Sequence, residues 1–87
     1  MAITLVNGEI QPTELTIAAG TDVTVSVSNN GTFAHNFTIK GTHFATAMLD
    51  PGQAEELIVN LEAGSYVTFC AVPGHREAGM MGTLTVE

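Results

Sequence analysis

The sequence predicts an all-β domain, a Greek-key β-sandwich or barrel of seven or eight strands. Three observations carry this expectation. Short apolar runs alternate with polar residues at period two, the mark of half-buried strands. Turn signals separate the runs at about the 8–12-residue spacing of sandwiches and Greek-key barrels. No window of about 12 residues carries an apolar stripe at helical spacing.

Ile3 to Val6 reads as the first strand, and Leu15 with Ile17 marks the second. Val23, Val25 and Val27 alternate with Thr24, Ser26 and Ser28 to give a longer third run. Phe37 and Ile39 suggest a short strand, and Leu57, Val59 and Leu61 alternate with Ile58 and Asn60. Tyr66 to Cys70 and Thr83 to Val86 complete the set. Between the runs stand Ala19-Gly20, Asn29-Asn30-Gly31, Asp50-Pro51-Gly52 and Ala63-Gly64, residues that permit positive φ or preset a negative one.

With 87 residues, the chain supports one domain, residues 1–87. Surface scaling gives about 4,900 Å² exposed when folded against about 13,200 Å² unfolded, enough burial for one modest core. Lys40 and Arg76 are the two basic residues against nine acidic ones, for a net charge of −7. That balance excludes nucleic acid and anionic membrane as partners, since phosphate binding needs a basic footprint. A partner steered by charge would be basic. Cys70 is the single cysteine, so no intrachain disulfide forms, and the core, a metal or both must hold the domain. No apolar run approaches the roughly 20 residues of a membrane span. The N-terminal Met-Ala-Ile-Thr-Leu-Val has neither a basic stretch nor a long apolar one, as expected of a cytoplasmic chain or of a mature form with a start Met.

One stretch departs from the strand pattern. From Cys70 to Gly82 the sequence reads CAVPGHREAGMMG, a thirteen-residue loop of the kind that carries function. It holds a thiol, an imidazole and two thioethers, in Cys70, His75, Met80 and Met81; a second imidazole, His35, lies upstream. Two imidazoles and a thiolate with a weak axial thioether suit a blue-copper site. A structural zinc site would call for four Cys or His ligands. Taken singly, each residue has an ordinary reading: Cys70 as a small buried hydrophobe, His35 as a hydrogen-bonded core histidine, the methionines as gap-fillers. Their combination on a strand-ending loop favours the metal.

The stretch GSYVTFCAVPGHREAGMMGTLTVE resembles the C-terminal signature of the small blue copper proteins, the cupredoxins, and above all their plastocyanin-like branch. Phe33-Ala34-His35-Asn36-Phe37 is similar to the upstream histidine strand, and the likeness extends over nearly the whole chain. Four residues separate Cys70 from His75, a spacing nearer to azurins than to plastocyanins. The resemblance implies a cupredoxin-like sandwich with one type 1 copper ion held by His35, Cys70, His75 and Met80. It implies a monomeric one-electron carrier between larger redox proteins, such as a basic cytochrome or a copper oxidase, and no enzyme by itself. An extracytoplasmic location is implied as well. Asn36 is expected to hydrogen-bond near the thiolate. His75 would reach the surface through an apolar patch lined by Ala34, Pro73, Gly74, Ala78, Gly79 and Met81. Phe69, one residue before Cys70, would face the other side of its strand.

Two other readings fit the same residues: a relay domain of a larger copper oxidase or nitrite reductase, or a copper-storage module without redox work. His43, with Met48 five residues on, reads as a solvated histidine rather than a second metal site, and Glu55, Glu56 and Glu62 as a possible acidic face.

Overall fold

Eight strands form two four-stranded sheets in the computed structural model, which describes residues 1–75 and 78–87. Arg76, one of the two basic residues noted above, lies outside the described residues. The strands are β1 (Ala2–Val6), β2 (Glu9–Gln11), β3 (Glu14–Ile17), β4 (Val23–Asn29), β5 (Thr38–Ile39), β6 (Ala54–Val59), β7 (Gly64–Phe69) and β8 (Met81–Val86). One sheet runs β2-β1-β4-β6 and the other β3-β8-β7-β5. Among the described residues, no helix is long and apolar enough to cross a membrane.

Alternation decides which side of each strand meets the core. Ile3 and Leu5 of β1, Val25 and Val27 of β4, Ile17 of β3, and Leu84 and Val86 of β8 are buried, while their neighbours along the strand are more open. These side chains meet between the sheets together with Ile10, Phe37, Ile39, Leu49 and Val59. Leu57 and Leu61 pack against that core, while Ile58 is 63% exposed, as the period of two requires. Folded, the chain exposes 4520 Å², close to the area that its length predicts.

Two pairings are parallel: β1 with β4, Ile3 opposite Val27, and β3 with β8, Leu15 opposite Leu84. The remaining ladders are antiparallel. Both parallel pairs join strands distant in sequence, so the chain must pass repeatedly from one sheet to the other.

Three expectations are corrected in detail. β2 is an additional strand whose single apolar residue, Ile10, shows no alternation to read. β6 starts at Ala54, because its ladder with β4 continues through Glu55 and Glu56 to the pair Ser28 and Ala54. The loop read as 70–82 spans 70–80, since Met81 and Gly82 already pair with Phe69 and Thr68. Gly82 is required there by close approach: a Cβ would collide with the Thr13 carbonyl oxygen and lie 2.9 Å from Thr68 Oγ1.

Candidate metal centre

The β7–β8 ladder ends at the pair Phe69 and Met81, so the next residues outward, Cys70 and Met80, face each other at its open end. The Cys70 N–H donates to the Met80 carbonyl at 3.1 Å, and the Met80 N–H donates to the His75 carbonyl at 3.0 Å. A tight turn, closed by the His75 N–H on the Val72 carbonyl at 3.0 Å, carries His75 back over the cysteine. Met80 thus ties both ends of the loop through its backbone, and its side chain is fully buried beside the buried Cys70. Gly79, at φ 108°, makes the reversal before Met80 in a conformation that side-chain-bearing residues rarely adopt.

His35 comes from the opposite side, on the segment between β4 and β5. Its N–H donates to the Leu49 carbonyl at 3.0 Å and its carbonyl accepts from the Leu49 N–H at 2.8 Å. The imidazole is buried, whereas that of His75 is half-buried. Burial, and then the neighbouring His75 charge, hold the His35 imidazole below its ordinary pKa.

Three ligand atoms converge. His35 Nδ1 and His75 Nδ1 lie 3.1 Å apart, and Cys70 Sγ lies 3.9 Å from the first and 3.6 Å from the second. A point equidistant from all three is about 2.1 Å from each, near the 2.0–2.3 Å of metal–imidazole and metal–thiolate bonds. The donor set is also right in kind: a soft thiolate and two imidazoles, with a thioether buried in the same core, suit copper, whereas magnesium or calcium would want oxygen. Among the described residues, no other group of three His, Cys, Asp or Glu side chains converges in this way.

Asn36 acts one residue away from the sulfur. Its Oδ1 accepts from the Ala71 N–H at 2.7 Å and its Nδ2 donates to Thr38 Oγ1 at 3.3 Å, so it fixes the backbone just after Cys70. Met81 sits on β8, 38% exposed, outside the core. Ala34, Pro73, Gly74, Ala78 and Gly79 are exposed or half-buried. Phe69 is half-buried and precedes the buried Cys70. His43 is exposed and rests against the Phe44 ring, 4.3 Å between centroids, with no metal-binding cluster around it among the described residues. Glu55 and Glu56 are consecutive on β6 and point to opposite sides, so they do not share one acidic face.

Sequence reasoning missed Asn7 and Asn29. Asn29 is buried; its Nδ2 donates to the Phe33 and Leu49 carbonyls at 2.9 and 2.8 Å, and its Oδ1 accepts from the Gly31 N–H at 2.9 Å. It therefore shapes the whole approach to His35. Asn7 Oδ1 lies 2.9 Å from His35 Nε2. The only signal in the sequence was turn chemistry: Asn29-Asn30-Gly31 was read as a turn, and Asn7 stands before Gly8.

Solved structures of known proteins share this architecture. An auracyanin from the photosynthetic bacterium Roseiflexus castenholzii superposes with a TM-score of 0.90 at 27% identity, over 99% of this chain and 94% of its own. A purple cupredoxin from Nitrosopumilus maritimus gives a TM-score of 0.73 at 25% identity, over 99% and 98% of the two chains. The fold also recurs within the copper-containing nitrite reductase of Thermus scotoductus, with a TM-score of 0.74 at 22% identity, over 99% of this chain and 22% of that one. No curated protein sequence matches the chain. A family model for the cupredoxin-like domain matches residues 1–86. Sandwich, converging donors and family match agree, and the chain belongs to the cupredoxin-like domain family.

Proposed function

We propose that this protein carries single electrons between larger redox proteins, using one type 1 copper ion that His35, Cys70 and His75 would hold, with Met80 as a fourth, weaker donor. The convergence of the two Nδ1 atoms and the Cys70 sulfur on one point carries this reading. Bound copper supplies a one-electron Cu(I)/Cu(II) couple.

The protein's part is to hold the donors in a site that changes little between the two oxidation states. Cys70 is anchored on both sides, by its own N–H on Met80 and by the Ala71 N–H on Asn36. His35 is pinned through backbone and ring, and its burial keeps water away. His75 alone among the four reaches partway to solvent, which makes its imidazole the natural route for an electron. Four protein donors leave no open position for a substrate, so the domain works as a carrier and not as an enzyme by itself. The net charge of −7 favours a basic redox partner. An extracytoplasmic setting accords with the family resemblance.

Titrating the metal-free protein with Cu(II) while recording its visible spectrum tests the assignment. An intense thiolate-to-copper band that saturates at one equivalent is expected. Weak colour without saturation would mean that the donors do not assemble. A reversible one-electron voltammetric wave then separates a carrier from a copper store.

The recurrence of the fold within a nitrite reductase chain supports a second reading, a relay domain serving a catalytic centre elsewhere in a longer protein. The length of the native gene product decides between them.

A further inference from the structure

We propose that Asn7 readies His35 for metal: its side-chain amide forces the imidazole into the tautomer whose Nδ1 carries a free lone pair. The inference rests on the copper reading above for its purpose, but its structural content concerns the metal-free chain.

The argument starts with the orientation of the amide. A backbone N–H can only donate, and that of Thr32 lies 3.1 Å from Asn7 Oδ1. Asn7 Nδ2 in turn donates to Thr32 Oγ1 at 2.6 Å. These two contacts with one residue fix which end of the amide is oxygen. The atom that meets His35 Nε2 at 2.9 Å is therefore an acceptor, and Nε2 must carry the proton. A neutral imidazole has one ring proton, so Nδ1 is left bare. That bare nitrogen points at His75 Nδ1 and Cys70 Sγ, the two atoms with which it would share a metal.

Gly31 gives an independent indication that the contact is built in. A Cβ on Gly31 would lie 2.5 Å from Asn7 Oδ1 and 2.8 Å from His35 Nε2. The hydrogen bond occupies the space that any side chain at position 31 would need. Asn29 Oδ1 holds the Gly31 N–H, so the glycine cannot drift away from the pair. Asn7 itself lies in the turn between β1 and β2, and the Gly8 carbonyl there lies against Gly79 of the ligand loop. The first hairpin thus reaches into the centre without supplying a ligand. Its contribution is to select one tautomer and one ring orientation, the task that outer hydrogen bonds perform at metal-bound histidines.

Long-range ¹⁵N–¹H correlation spectra of the metal-free, ¹⁵N-labelled protein at pH 8 test the proposal directly. In the wild type, His35 should carry its proton on Nε2, with Nδ1 unprotonated. In Asn7→Leu both tautomers should appear, and Cu(I) affinity, measured against a competing chelator, should fall roughly 10- to 100-fold. Asn7→Asp keeps an acceptor and should restore the single tautomer. Gly31→Ala, which crowds the pair without touching its chemistry, should behave like Asn7→Leu. A wild-type His35 protonated at Nδ1 would overturn the proposal, and this measurement needs no variant to fold. Unchanged tautomer or unchanged copper affinity in Asn7→Leu would overturn it as well. Failure of the copper reading looks different: the expected tautomer with no blue band on adding Cu(II).

Discussion

His35 and His75 meet through their Nδ1 atoms, 3.1 Å apart, with ring planes tilted by 53°. Under the tautomer that Asn7 imposes, His35 Nδ1 accepts, so His75 must donate from its own Nδ1. The same His75 Nδ1 also lies 3.6 Å from Cys70 Sγ. To hold a metal through Nδ1, His75 would have to carry its ring proton on Nε2 instead. Loading with diamagnetic Cu(I) should shift His75 from the Nδ1–H to the Nε2–H pattern in ¹⁵N spectra and leave His35 unchanged. A His75 that keeps its Nδ1 proton in the loaded protein does not belong among the ligands.

Cys70→Ser should remove the blue band and leave the fold intact. The residue is fully buried just beyond the end of β7, and serine keeps its backbone bond to Met80 while offering a hydroxyl to the same imidazoles. Far-ultraviolet circular dichroism of the variant should match the wild type. A blue band that survives would refute the metal centre.

Met80 and Met81 separate cleanly. Met80 is fully buried beside Cys70, whereas Met81 is part of β8 and 38% exposed. Met80→Leu should keep the colour and raise the reduction potential, because a weak donor to Cu(II) is lost; its cost in stability should stay under about 1.5 kcal/mol. Met81→Leu should leave the potential where it was. Voltammetry of both variants checks the pair, and the reverse outcome would make Met81 the fourth donor.

Gly82→Ala tests the fold apart from the metal. The added methyl would collide with the Thr13 carbonyl and crowd Thr68 Oγ1, at the point where β8 runs between β3 and β7. A loss of about 1–3 kcal/mol in denaturant unfolding is expected, as for overpacking elsewhere. Unaltered stability would mean that β3 and β8 are not paired as described.

Acid should destabilise the metal-free protein through His35. Burial, with the His75 charge as the smaller cause, lowers its pKa from 6.5, so the unfolded chain binds a proton where the folded one does not. Stability on this account is intact above pH 6.5, falls as pH drops through that value, and levels off below the folded pKa. The slope cannot exceed about 1.4 kcal/mol per pH unit for one group. Urea midpoints from pH 8 to pH 5 should show this decline, and His35→Gln should flatten it. An identical pH profile in the variant would remove His35 as the cause.

Much of this was legible in the sequence, for reasons that also explain the gaps. β4 and β8 each have one face in the core and one turned outward, so Val25, Val27, Leu84 and Val86 stand out by period alone. β2 has a single apolar residue and β5 only two residues in all, too short for any period to register. Cys70, His75 and Met80 belong to one loop, and their chemistry is visible side by side. Asn7 and Asn29 are different. An amide has no hydropathic signature, and its role depends on which atoms it meets across the fold. Position 29 looks like a turn residue until its two carbonyl partners, Phe33 and Leu49, are known.

The parallel pairing of β3 with β8 has a consequence for biosynthesis. Glu14 to Ile17 lie beside Thr83 to Val86, about 70 residues away along the chain, and loop closure of that length must precede the contacts that reward it. Until β8 is in place, Met80 has no ladder to hold it opposite Cys70, and the thiol stands at the end of an unfinished sheet. A nascent chain still short of residue 86 therefore carries Cys70, His35 and His75 without the closed sheet at whose end they converge. The convergence of the three donors is therefore a property of the closed fold, in which β8 is paired with both β3 and β7.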